Sequence, residues 1–337
     1  MKKRLKVVQV GLGQIGLNIL KALLDNDDRF NLIGCVDNAP DKTGRDVGEI
    51  LDPKRIQGVV IVPTVSALKR KKGDIAIHST VSYLPDAADQ VAELLESGFN
   101  VVTTAEELFF LQRRNPIVFR RLNSIARRKG VRLLATGVDP GFIMDSLVLM
   151  LTAPCVRIRG VRAERMIDLS KRRLSMQRKI GIGLSTEEFL EESESGKFGP
   201  VGLTGSAEFI AHHLAVKYDE IKSTVQPISA DHDFHGQNIF VAKDHVVGVR
   251  QEVAIEASGN PIISLRLSMR VDATIEYDAI FIDGDPPVNI VVNNGLMGDK
   301  GTVGLILNQI EHLLEAAPGY HDMADLAIPH FSLNHIS

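Results

Sequence analysis

The fold of this chain is decided near its N-terminus by the stretch Leu5-Lys6-Val7-Val8-Gln9-Val10-Gly11-Leu12-Gly13-Gln14-Ile15-Gly16. The first half of the stretch is short, apolar and β-branched, which is typical of a buried strand. The second half has the spacing Gly-x-Gly-x-x-Gly and continues into apolar residues at helical intervals. A second apolar segment, residues 30–36, follows and ends at Asp37. The stretch therefore predicts a complete strand–helix–strand unit.

The three glycines of this motif have separate tasks in a dinucleotide-binding turn. Gly11 permits the tight turn, Gly13 lets the backbone approach a pyrophosphate, and Gly16 lets the helix pack closely on the strand. The pyrophosphate lies at the helix N-terminus, where free N–H groups and the helix dipole favour an anion. We therefore predict a Rossmann-type cofactor site whose loop contacts are Gly11, Gly13, Gln14, Ile15 and Gly16.

The acid at the end of the second strand bears on the choice of cofactor. Asp37 lies where a Rossmann carboxylate accepts hydrogen bonds from the hydroxyls of the adenosine ribose, and this favours NAD. Lys42 and Arg45 lie just downstream and could instead meet a 2′-phosphate. NAD is therefore the predicted cofactor, with NADP as the alternative.

Strands and helices go on alternating through the first half of the chain. Strands are predicted at residues 58–63, 74–80, 100–104 and 131–136, and helices at residues 86–97 and 105–129, the second interrupted by Pro116. This alternation predicts an α/β fold with a doubly wound parallel sheet covered on both faces by helices. A loop at residues 137–141 ends the series, and residues 142–151 are predicted to form a helix that leads out of the domain.

The second half of the chain has a different texture. Strand-like runs at residues 156–166, 262–269, 273–282 and 288–292 accompany a helical stretch at residues 205–216. They predict an α+β domain for substrate binding and dimerisation. The expected organisation is a Rossmann domain at residues 1–150, this α+β domain at residues 151–299, and a C-terminal helix and tail at residues 300–337 that packs back on the Rossmann domain. Alternating apolar side chains are expected to form a sheet face open to a partner subunit, at Ile263, Leu265, Leu267 and Met269.

Composition narrows the classes of function. The 337 residues carry 39 Lys and Arg against 42 Asp and Glu, a net charge of −3, which gives no general attraction to nucleic acid. Apolar stretches are shorter than a membrane span, and the first of them is broken by glycines, unlike a signal peptide. Two cysteines, Cys35 and Cys155, make neither a disulfide framework nor a metal site. We expect a cytoplasmic protein that binds no metal, membrane or nucleic acid.

Polar residues follow the predicted strands at the edge where an open α/β sheet binds its ligand. Ser79 and Thr80 end the strand at residues 74–80 and are predicted to contact the cofactor near its nicotinamide ribose. His78 beside them is interpreted as a packed or capping histidine, with catalysis as the alternative. Thr104 and Asp139, which follow the next two strands, complete the predicted cofactor contacts.

Four separated motifs carry a resemblance to a known family. They are Thr103-Thr104-Ala105-Glu106-Glu107-Leu108, Ala135-Thr136-Gly137-Val138-Asp139-Pro140-Gly141-Phe142-Ile143-Met144-Asp145, Lys171-Arg172-Arg173-Leu174-Ser175-Met176-Gln177-Arg178-Lys179-Ile180-Gly181 and Pro318-Gly319-Tyr320-His321-Asp322-Met323-Ala324-Asp325. In these motifs the chain resembles the 2,4-diaminopentanoate dehydrogenases and the related native amine dehydrogenases, which share the two-domain plan of dihydrodipicolinate reductases. The resemblance extends from Val8 to roughly Pro329. It implies an NAD(P)-dependent oxidoreductase that acts on a primary amine or, in reverse, on a ketone, and that forms a homodimer.

The resemblance also implies a catalytic carboxylate in the Glu-Glu-Leu motif, either Glu106 or its neighbour Glu107. Adjacent residues of a helix do not face each other, so only one of the two can point into a site. The alternative interpretation is that both acids simply begin a helix, where negative charge is favoured. As a general base, one glutamate would take a proton from the substrate ammonium and later activate water.

Substrate contacts are implied in two further segments. Pro140 and Phe142 belong to the loop that shapes the nicotinamide site in the family, although Asp139 replaces the expected Asn. Asn293-Asn294-Gly295 likewise stands where a Gly-Gly pair is expected, so the substrate can differ from that of the relatives. Arg172 and Arg173 are predicted to bind a substrate carboxylate, with ordinary surface charge as the alternative.

Two rival functions stay open. Ala211-His212-His213-Leu214-Ala215-Val216-Lys217 is similar to the His-His-x-x-Lys signature of dihydrodipicolinate reductase, but its lysine comes one place too late. The two histidines are therefore interpreted as core or partly exposed residues, and no third metal ligand has a recognisable spacing. The second rival is a redox sensor that binds the dinucleotide without turning it over, although no DNA-binding helix pair is found.

Overall fold

The computed structural model describes residues 3–68, 73–170, 177, 180–194, 201–236 and 239–332. The chain forms two compact units, Met1–Gly141 with Met297–Ser337, and Phe142–Leu296. The functional division predicted at residues 150/151 and 299/300 stays a prediction. No helix among the described residues is long and apolar enough to cross a membrane.

The first unit alternates strands and helices as its sequence predicts. Its strands are β1 Leu5–Val10, β2 Phe30–Val36, β3 Ile61–Val62, β4 Ile75–His78, β5 Asn100–Thr103 and β6 Arg132–Ala135. Its helices up to β6 are α1 Gln14–Asp25, α2 Val47–Leu51, α3 Asp86–Glu96, α4 Leu111–Arg114 and α5 Pro116–Lys129, with short 3-10 turns at Val65–Ala67 and Glu106–Leu108. The C-terminal part of the chain adds helix α9 Gly298–Glu315 and strand β15 Gly319–His321.

These strands form one parallel sheet in the order β15-β6-β5-β4-β1-β2-β3. The order is that of a doubly wound Rossmann sheet, so the predicted fold class is confirmed. Central strands are buried on both faces, with Val7, Ile75 and Val101 fully covered. The order reverses between β1 and β4, which places a ligand crevice at the carboxyl ends of these two strands.

Helix α1 shows how the sequence positions that crevice. Its apolar positions Ile19, Leu20 and Leu23 are buried, and each such side chain stabilises the fold by about 1.5–3 kcal/mol. Its polar N-terminal end is thereby fixed against β1. Helix α9 lies against α1 and against strands β5 and β6, so the C-terminal helix packs on the Rossmann sheet.

Residues 105–129 are predicted to be helical with an interruption at Pro116. The interruption is confirmed, but the prediction of a helix from residue 105 is wrong. The segment contains a 3-10 turn at Glu106–Leu108 and two helices, α4 and α5. The break after the turn is Phe110, which adopts the left-handed conformation with φ 51° and ψ 49°. The second break is Asn115, whose side chain caps α5 by accepting from the Val118 N–H at 3.1 Å, with Pro116 in the first helical position.

The second unit is an α+β structure with a mixed sheet. Its helices are α6 Ser146–Leu151, α7 Thr186–Glu194 and α8 Leu203–His213. Its strands are β7 Arg157–Asp168, β8 Glu220–Ser229, β9 Phe234–His235, β10 Phe240–Val241, β11 Val246–Ala257, β12 Asn260–Arg270, β13 Tyr277–Asp285 and β14 Val288–Asn293. Six of these form a sheet in the order β14-β13-β7-β12-β11-β8, in which only β7 and β12 pair in parallel.

The prediction that an apolar sheet face is open to a partner subunit is wrong. Ile263, Leu265, Leu267 and Met269 are at most 5% exposed. Helix α8 of the same chain packs against β11 and β12 and covers this apolar face. The opposite face of the sheet carries charged side chains instead, among them Glu252 and Arg266, which form an ion pair at 2.6 Å.

Candidate functional site

The glycine motif forms a tight turn between β1 and α1. Gly11 has φ +88°, and its N–H donates to the Val36 carbonyl at 2.8 Å. A Cβ at Gly11 would lie 2.6 Å from the Ser79 carbonyl oxygen, and one at Gly16 would lie 2.1 Å from the Gly11 carbonyl oxygen. Neither position admits a larger residue, because backbone atoms fill the space that a side chain needs.

Gly13 differs from the other two glycines. It is the N-cap of α1, and no atom lies within 4 Å of the place where its Cβ would be. The first turn of α1 carries no acidic side chain that would repel an anion. The turn therefore leaves open space beside a helix N-terminus, and this arrangement fits the pyrophosphate of a dinucleotide.

Asp37 lies directly beside this turn and has a structural role of its own. Its Oδ2 accepts from the Leu12 N–H at 2.6 Å, and its Oδ1 accepts from the Ala39 N–H at 2.9 Å. The ammonium of Lys42 is 3.6 Å from Asp37 Oδ2 and donates to the Leu12 carbonyl at 2.9 Å. Arg45 instead lies 3.9 Å from Glu49 and is largely exposed. Lys42 and Arg45 are the two residues predicted as possible partners of a 2′-phosphate, and of these two only Lys42 lies beside Asp37.

Ser79 and Thr80 follow β4 but point in different directions. The Ser79 hydroxyl is buried under the glycine turn, where it accepts from Gln9 Nε2 at 2.8 Å and donates to the Gly11 carbonyl at 3.2 Å. Thr80 is exposed at the edge of the sheet. Ser79 therefore stabilises the glycine turn from the buried side, and Thr80 lies exposed at the carboxyl edge of the sheet.

His78 is the centre of a buried hydrogen-bond network. Its Nδ1 is 2.8 Å from Thr103 Oγ1, and its Nε2 is 2.9 Å from Gln90 Oε1 and 2.7 Å from Thr80 Oγ1. The Gln90 oxygen can only accept, so Nε2 carries the proton and Nδ1 accepts from the Thr103 hydroxyl. Burial lowers the pKa of His78, which keeps the ring neutral. The interpretation of His78 as a packed histidine agrees with these contacts.

The network continues into the Glu-Glu turn. Thr103 Oγ1 accepts from the Ala105 N–H at 3.0 Å, and the Thr104 N–H donates to the His78 carbonyl at 3.0 Å. Glu106 and Glu107 follow at once, both half-buried. The two acids thus lie at the carboxyl end of β5, and one strand, β4, separates β5 from β1 and its glycine turn.

Glu107 is held through both its side chain and its backbone. Glu107 Oε2 accepts from the Leu84 N–H at 2.6 Å, and the Glu107 N–H donates to the Ser82 carbonyl at 3.1 Å. Glu107 therefore ties the β5 turn to the loop that follows β4. A short bond to a carboxylate is among the stronger hydrogen bonds in proteins, so Glu107 has a task in holding this edge together.

The loop at residues 137–141 follows β6 at the same edge. Its Asp139–Pro140 peptide bond is cis, and Asp139 is half-buried. Gly141 has φ +129°, and a Cβ there would lie 2.5 Å from the Gly137 nitrogen, so the loop is closed on itself. Phe142 begins the second unit and is half-buried. Arg172 and Arg173 lie outside the described residues.

Several residues with a part in this edge have no local signal in the sequence. Gln9 and Gln90 look like ordinary polar positions of a strand and a helix, yet they bond Ser79 and His78. The pair His212 and His213 ends α8 with ring centroids 5.0 Å apart, and His213 also packs on Phe209 at 4.6 Å. Among the described residues, no group of three or more His, Cys, Asp or Glu could hold a metal ion.

The glycine turn, the acid after β2 and the polar strand ends on one edge of a parallel sheet define the class of Rossmann-fold dehydrogenases. Residues 142–337 match the family model of the 2,4-diaminopentanoate dehydrogenase C-terminal domain. The chain belongs to the 2,4-diaminopentanoate dehydrogenase and amine dehydrogenase family. It is 28% identical over 338 residues to 2,4-diaminopentanoate dehydrogenase of Acetoanaerobium sticklandii, covering 97% of this chain and 94% of that relative.

Solved structures agree on the fold. Amine dehydrogenase from Mycobacterium smegmatis is similar over 98% of both chains, with a TM-score of 0.86 and 21% identity. Biliverdin reductase from Synechocystis, in complex with biliverdin and NADP+, is similar over 95% of this chain and 94% of its own, with a TM-score of 0.58 and 12% identity. The Rossmann unit and the α+β unit described above are therefore a recurrent combination.

Proposed function

We propose that this protein is an NAD(P)-dependent amine dehydrogenase that oxidises a primary amine or a diamino acid of the 2,4-diaminopentanoate type. The observation that carries the proposal is the carboxylate turn at Glu106–Leu108 on the same sheet edge as the glycine turn. Membership of the family supports the reaction class, and the named relative acts on 2,4-diaminopentanoate. At 28% identity the particular amine stays part of the proposal.

The residues of the first unit would hold the cofactor in a defined direction. The turn at Gly11, Gly13 and Gly16 with the adjoining Gln14 and Ile15 would receive the pyrophosphate, since open space lies beside Gly13. Asp37 would receive the adenosine ribose. The nicotinamide end would then run toward the other strand ends, near Thr80, Thr104 and Asp139. When bound, the cofactor supplies the acceptor for the hydride.

Glu106 is proposed as the general base. Glu106 matches the catalytic carboxylate that the Glu-Glu-Leu motif of the family implies, and the Glu107 carboxylate accepts from the Leu84 N–H. In amine oxidation, Glu106 takes a proton from the substrate ammonium while a hydride leaves the carbon that bears nitrogen. The product of this step is an iminium ion, and Glu106 then releases its proton to solvent. The ionised Glu106 takes a proton from the water that adds to the iminium carbon, and the carbinolamine breaks down to ammonia and a ketone or aldehyde.

Two segments of the chain are proposed to contact the substrate. Pro140 and Phe142 would provide apolar contacts, and Arg172 and Arg173 would pair with a carboxylate of a diamino acid. Asp139 brings a carboxyl group to the loop where the family pattern has a neutral amide. An ionised carboxyl group attracts cations, so Asp139 would favour a substrate with a second ammonium group over one with a neutral group in that place.

We further propose that the protein assembles as a homodimer through its second unit. Its apolar sheet face is already covered by α8, so the partner would meet a different surface, such as the charged face that carries Glu252 and Arg266. Light scattering at micromolar concentration should give twice the monomer mass. A monomer mass at that concentration would refute the proposed homodimer.

Two substitutions test the chemistry. Glu106→Gln keeps the shape of the side chain and removes the base, so turnover with an amine should fall about 100- to 10,000-fold. Glu107→Gln retains an oxygen that accepts from Leu84 and should keep turnover within a few-fold of the wild type. Turnover is followed as NADH or NADPH appearance over a panel of amines and diamino acids. Normal turnover in both variants would refute the proposal, and no turnover of any amine by the wild type would favour the redox-sensor or imine-reductase alternatives.

A further inference from the structure

The C-terminal segment at residues 318–325 completes the Rossmann sheet. Strand β15 pairs in parallel with β6, with Tyr320 opposite Leu133. The Tyr320 side chain points into the core and is 8% exposed. Its ring packs edge-on against Phe119 with centroids 5.4 Å apart. A segment near the C-terminus is thus built into the domain that carries the glycine turn.

The Tyr320 hydroxyl bridges the backbone just after the Glu-Glu turn. It donates to the Leu108 carbonyl at 2.8 Å and accepts from the Leu111 N–H at 3.2 Å. Between these two groups, Phe109 has φ −70° and ψ 130°, and Phe110 has φ 51° and ψ 49°. These angles resemble a type II turn, in which the first carbonyl normally accepts from the fourth N–H. Here the tyrosine hydroxyl is inserted between that carbonyl and that N–H.

This insertion makes the turn dependent on the hydroxyl. Leu108, Phe110 and Leu111 all have fully buried side chains. Buried backbone groups need hydrogen-bond partners, and a left-handed conformation is unfavourable for an aromatic residue. The Tyr320 hydroxyl satisfies both backbone groups at once, and it thereby holds the strained Phe110 in place.

We propose that Tyr320 is a positioning residue for Glu106, fixing from behind the backbone turn that presents the catalytic carboxylate. This inference rests on the proposed role of Glu106. The 3-10 turn Glu106–Leu108 is held at its front by Thr103 Oγ1, which accepts from the Ala105 N–H, and at its rear by Tyr320 at Leu108. Hydrogen bonds from the core of the sheet thus fix both ends of this three-residue turn, and they thereby set the direction of the Glu106 side chain.

Asn123 provides a matched control. Its Oδ1 accepts from the Tyr320 N–H at 3.0 Å, so Asn123→Ala loosens the same strand without touching the turn. Tyr320→Phe retains the ring against Phe119 and removes only the hydroxyl. The two variants therefore separate loss of the clamp from general loosening of β15.

The experiment compares the wild type, Tyr320→Phe, Asn123→Ala and Glu106→Gln. Steady-state kcat is measured with the best amine of the panel, the Kd for NADH by fluorescence titration, and backbone exchange of residues 106–111 by hydrogen–deuterium exchange. We expect Tyr320→Phe to lower kcat about 10- to 100-fold, because small misplacement of a reacting group is costly. Its Kd for NADH should stay within about twofold, and exchange should rise in residues 106–111. Asn123→Ala should keep kcat within about twofold.

The outcomes distinguish the inference from the function on which it rests. Loss of turnover in Glu106→Gln together with a wild-type kcat in Tyr320→Phe overturns the positioning role alone. An equal loss of kcat in Tyr320→Phe and Asn123→Ala also overturns it, since general loosening of β15 then explains the effect. Retained turnover in Glu106→Gln overturns the proposed role of Glu106, and the role of Tyr320 with it, and retained turnover in both Glu106→Gln and Glu107→Gln overturns the proposed function.

Discussion

Replacement of Asp37 by asparagine should change the preference between NADH and NADPH. The carboxylate already accepts from the Leu12 and Ala39 N–H groups, at 2.6 and 2.9 Å. A carboxylate has about four lone-pair sites, so its two oxygens can still accept from a ribose diol. Asp37→Asn turns one oxygen into a donor, so one backbone contact is lost along with the negative charge. The loop defect affects both cofactors, whereas the contact to the 2′-hydroxyl affects NADH alone.

The size of the change follows from the bonds involved. A hydrogen bond to a charged group contributes about 1.5–3 kcal/mol, which corresponds to a rise of about 10- to 150-fold in the Kd for NADH. NADPH would bring a 2′-phosphate toward Asp37, and removal of the carboxylate charge relieves that repulsion. The ratio of the Kd for NADPH to the Kd for NADH should therefore fall at least about tenfold.

Fluorescence titration of both reduced cofactors measures this ratio directly. Asp46→Asn is the matched control, because Asp46 Oδ1 also accepts from two backbone N–H groups, those of Gly48 and Gln57, at 2.8 and 2.9 Å. Because both bonds go to one oxygen, the amide oxygen of an asparagine can keep them while the charge is removed. The substitution is therefore a control for loss of charge and should leave the ratio within about twofold. The reasoning is refuted if Asp37→Asn leaves the ratio unchanged, or if Asp46→Asn lowers it equally.

Two further predictions concern stability. The Arg165–Asp278 ion pair is 3% and 2% exposed, so Asp278→Ala should lower the free energy of unfolding by about 3–5 kcal/mol in urea titration. Glu220→Ala, the matched change at the exposed Lys222–Glu220 pair, should have a much smaller effect. A near-zero effect of Asp278→Ala would mean that the guanidinium finds another partner. Burial lowers the pKa of His78, so the unfolded chain binds the proton more readily. The stability that the neutral ring provides is full above its unfolded pKa of about 6.5 and falls at lower pH by up to about 1.4 kcal/mol per pH unit. His78→Asn should flatten this dependence between pH 7.5 and 5.5, and an unchanged slope would count against it.

The parallel sheet could be predicted because its signals are local. A short apolar strand, a glycine turn and a helix follow one another within residues 5–25, and each has its own period or turn chemistry. Strand β15 has no such signal. It contains three residues, Gly319–His321, and pairs with β6 across nearly 190 positions of sequence (321 against 134). The sheet contact of such a strand depends on tertiary packing.

The two errors of sequence interpretation have a common physical cause. Alternation along β12 correctly indicates that Ile263 and Leu265 share a face, but it does not say which element covers that face, and α8 does so within the same chain. Helical spacing after Ala105 likewise does not reveal that Phe110 is held in a left-handed conformation by a hydroxyl two hundred positions away. In both places a distant part of the chain overrides a local pattern.

The choice between Glu106 and Glu107 shows what sequence reasoning can and cannot supply. Two adjacent acids cannot share one direction on a turn, so the sequence already predicts a division of labour between them. It does not show that the Glu107 carboxylate accepts from the Leu84 N–H, because that partner comes from the loop after β4. That contact makes Glu107 the brace between two strand ends. Under the proposed function, Glu107 and the Tyr320 hydroxyl would together fix the turn that carries Glu106, and this would explain why two acids stand side by side.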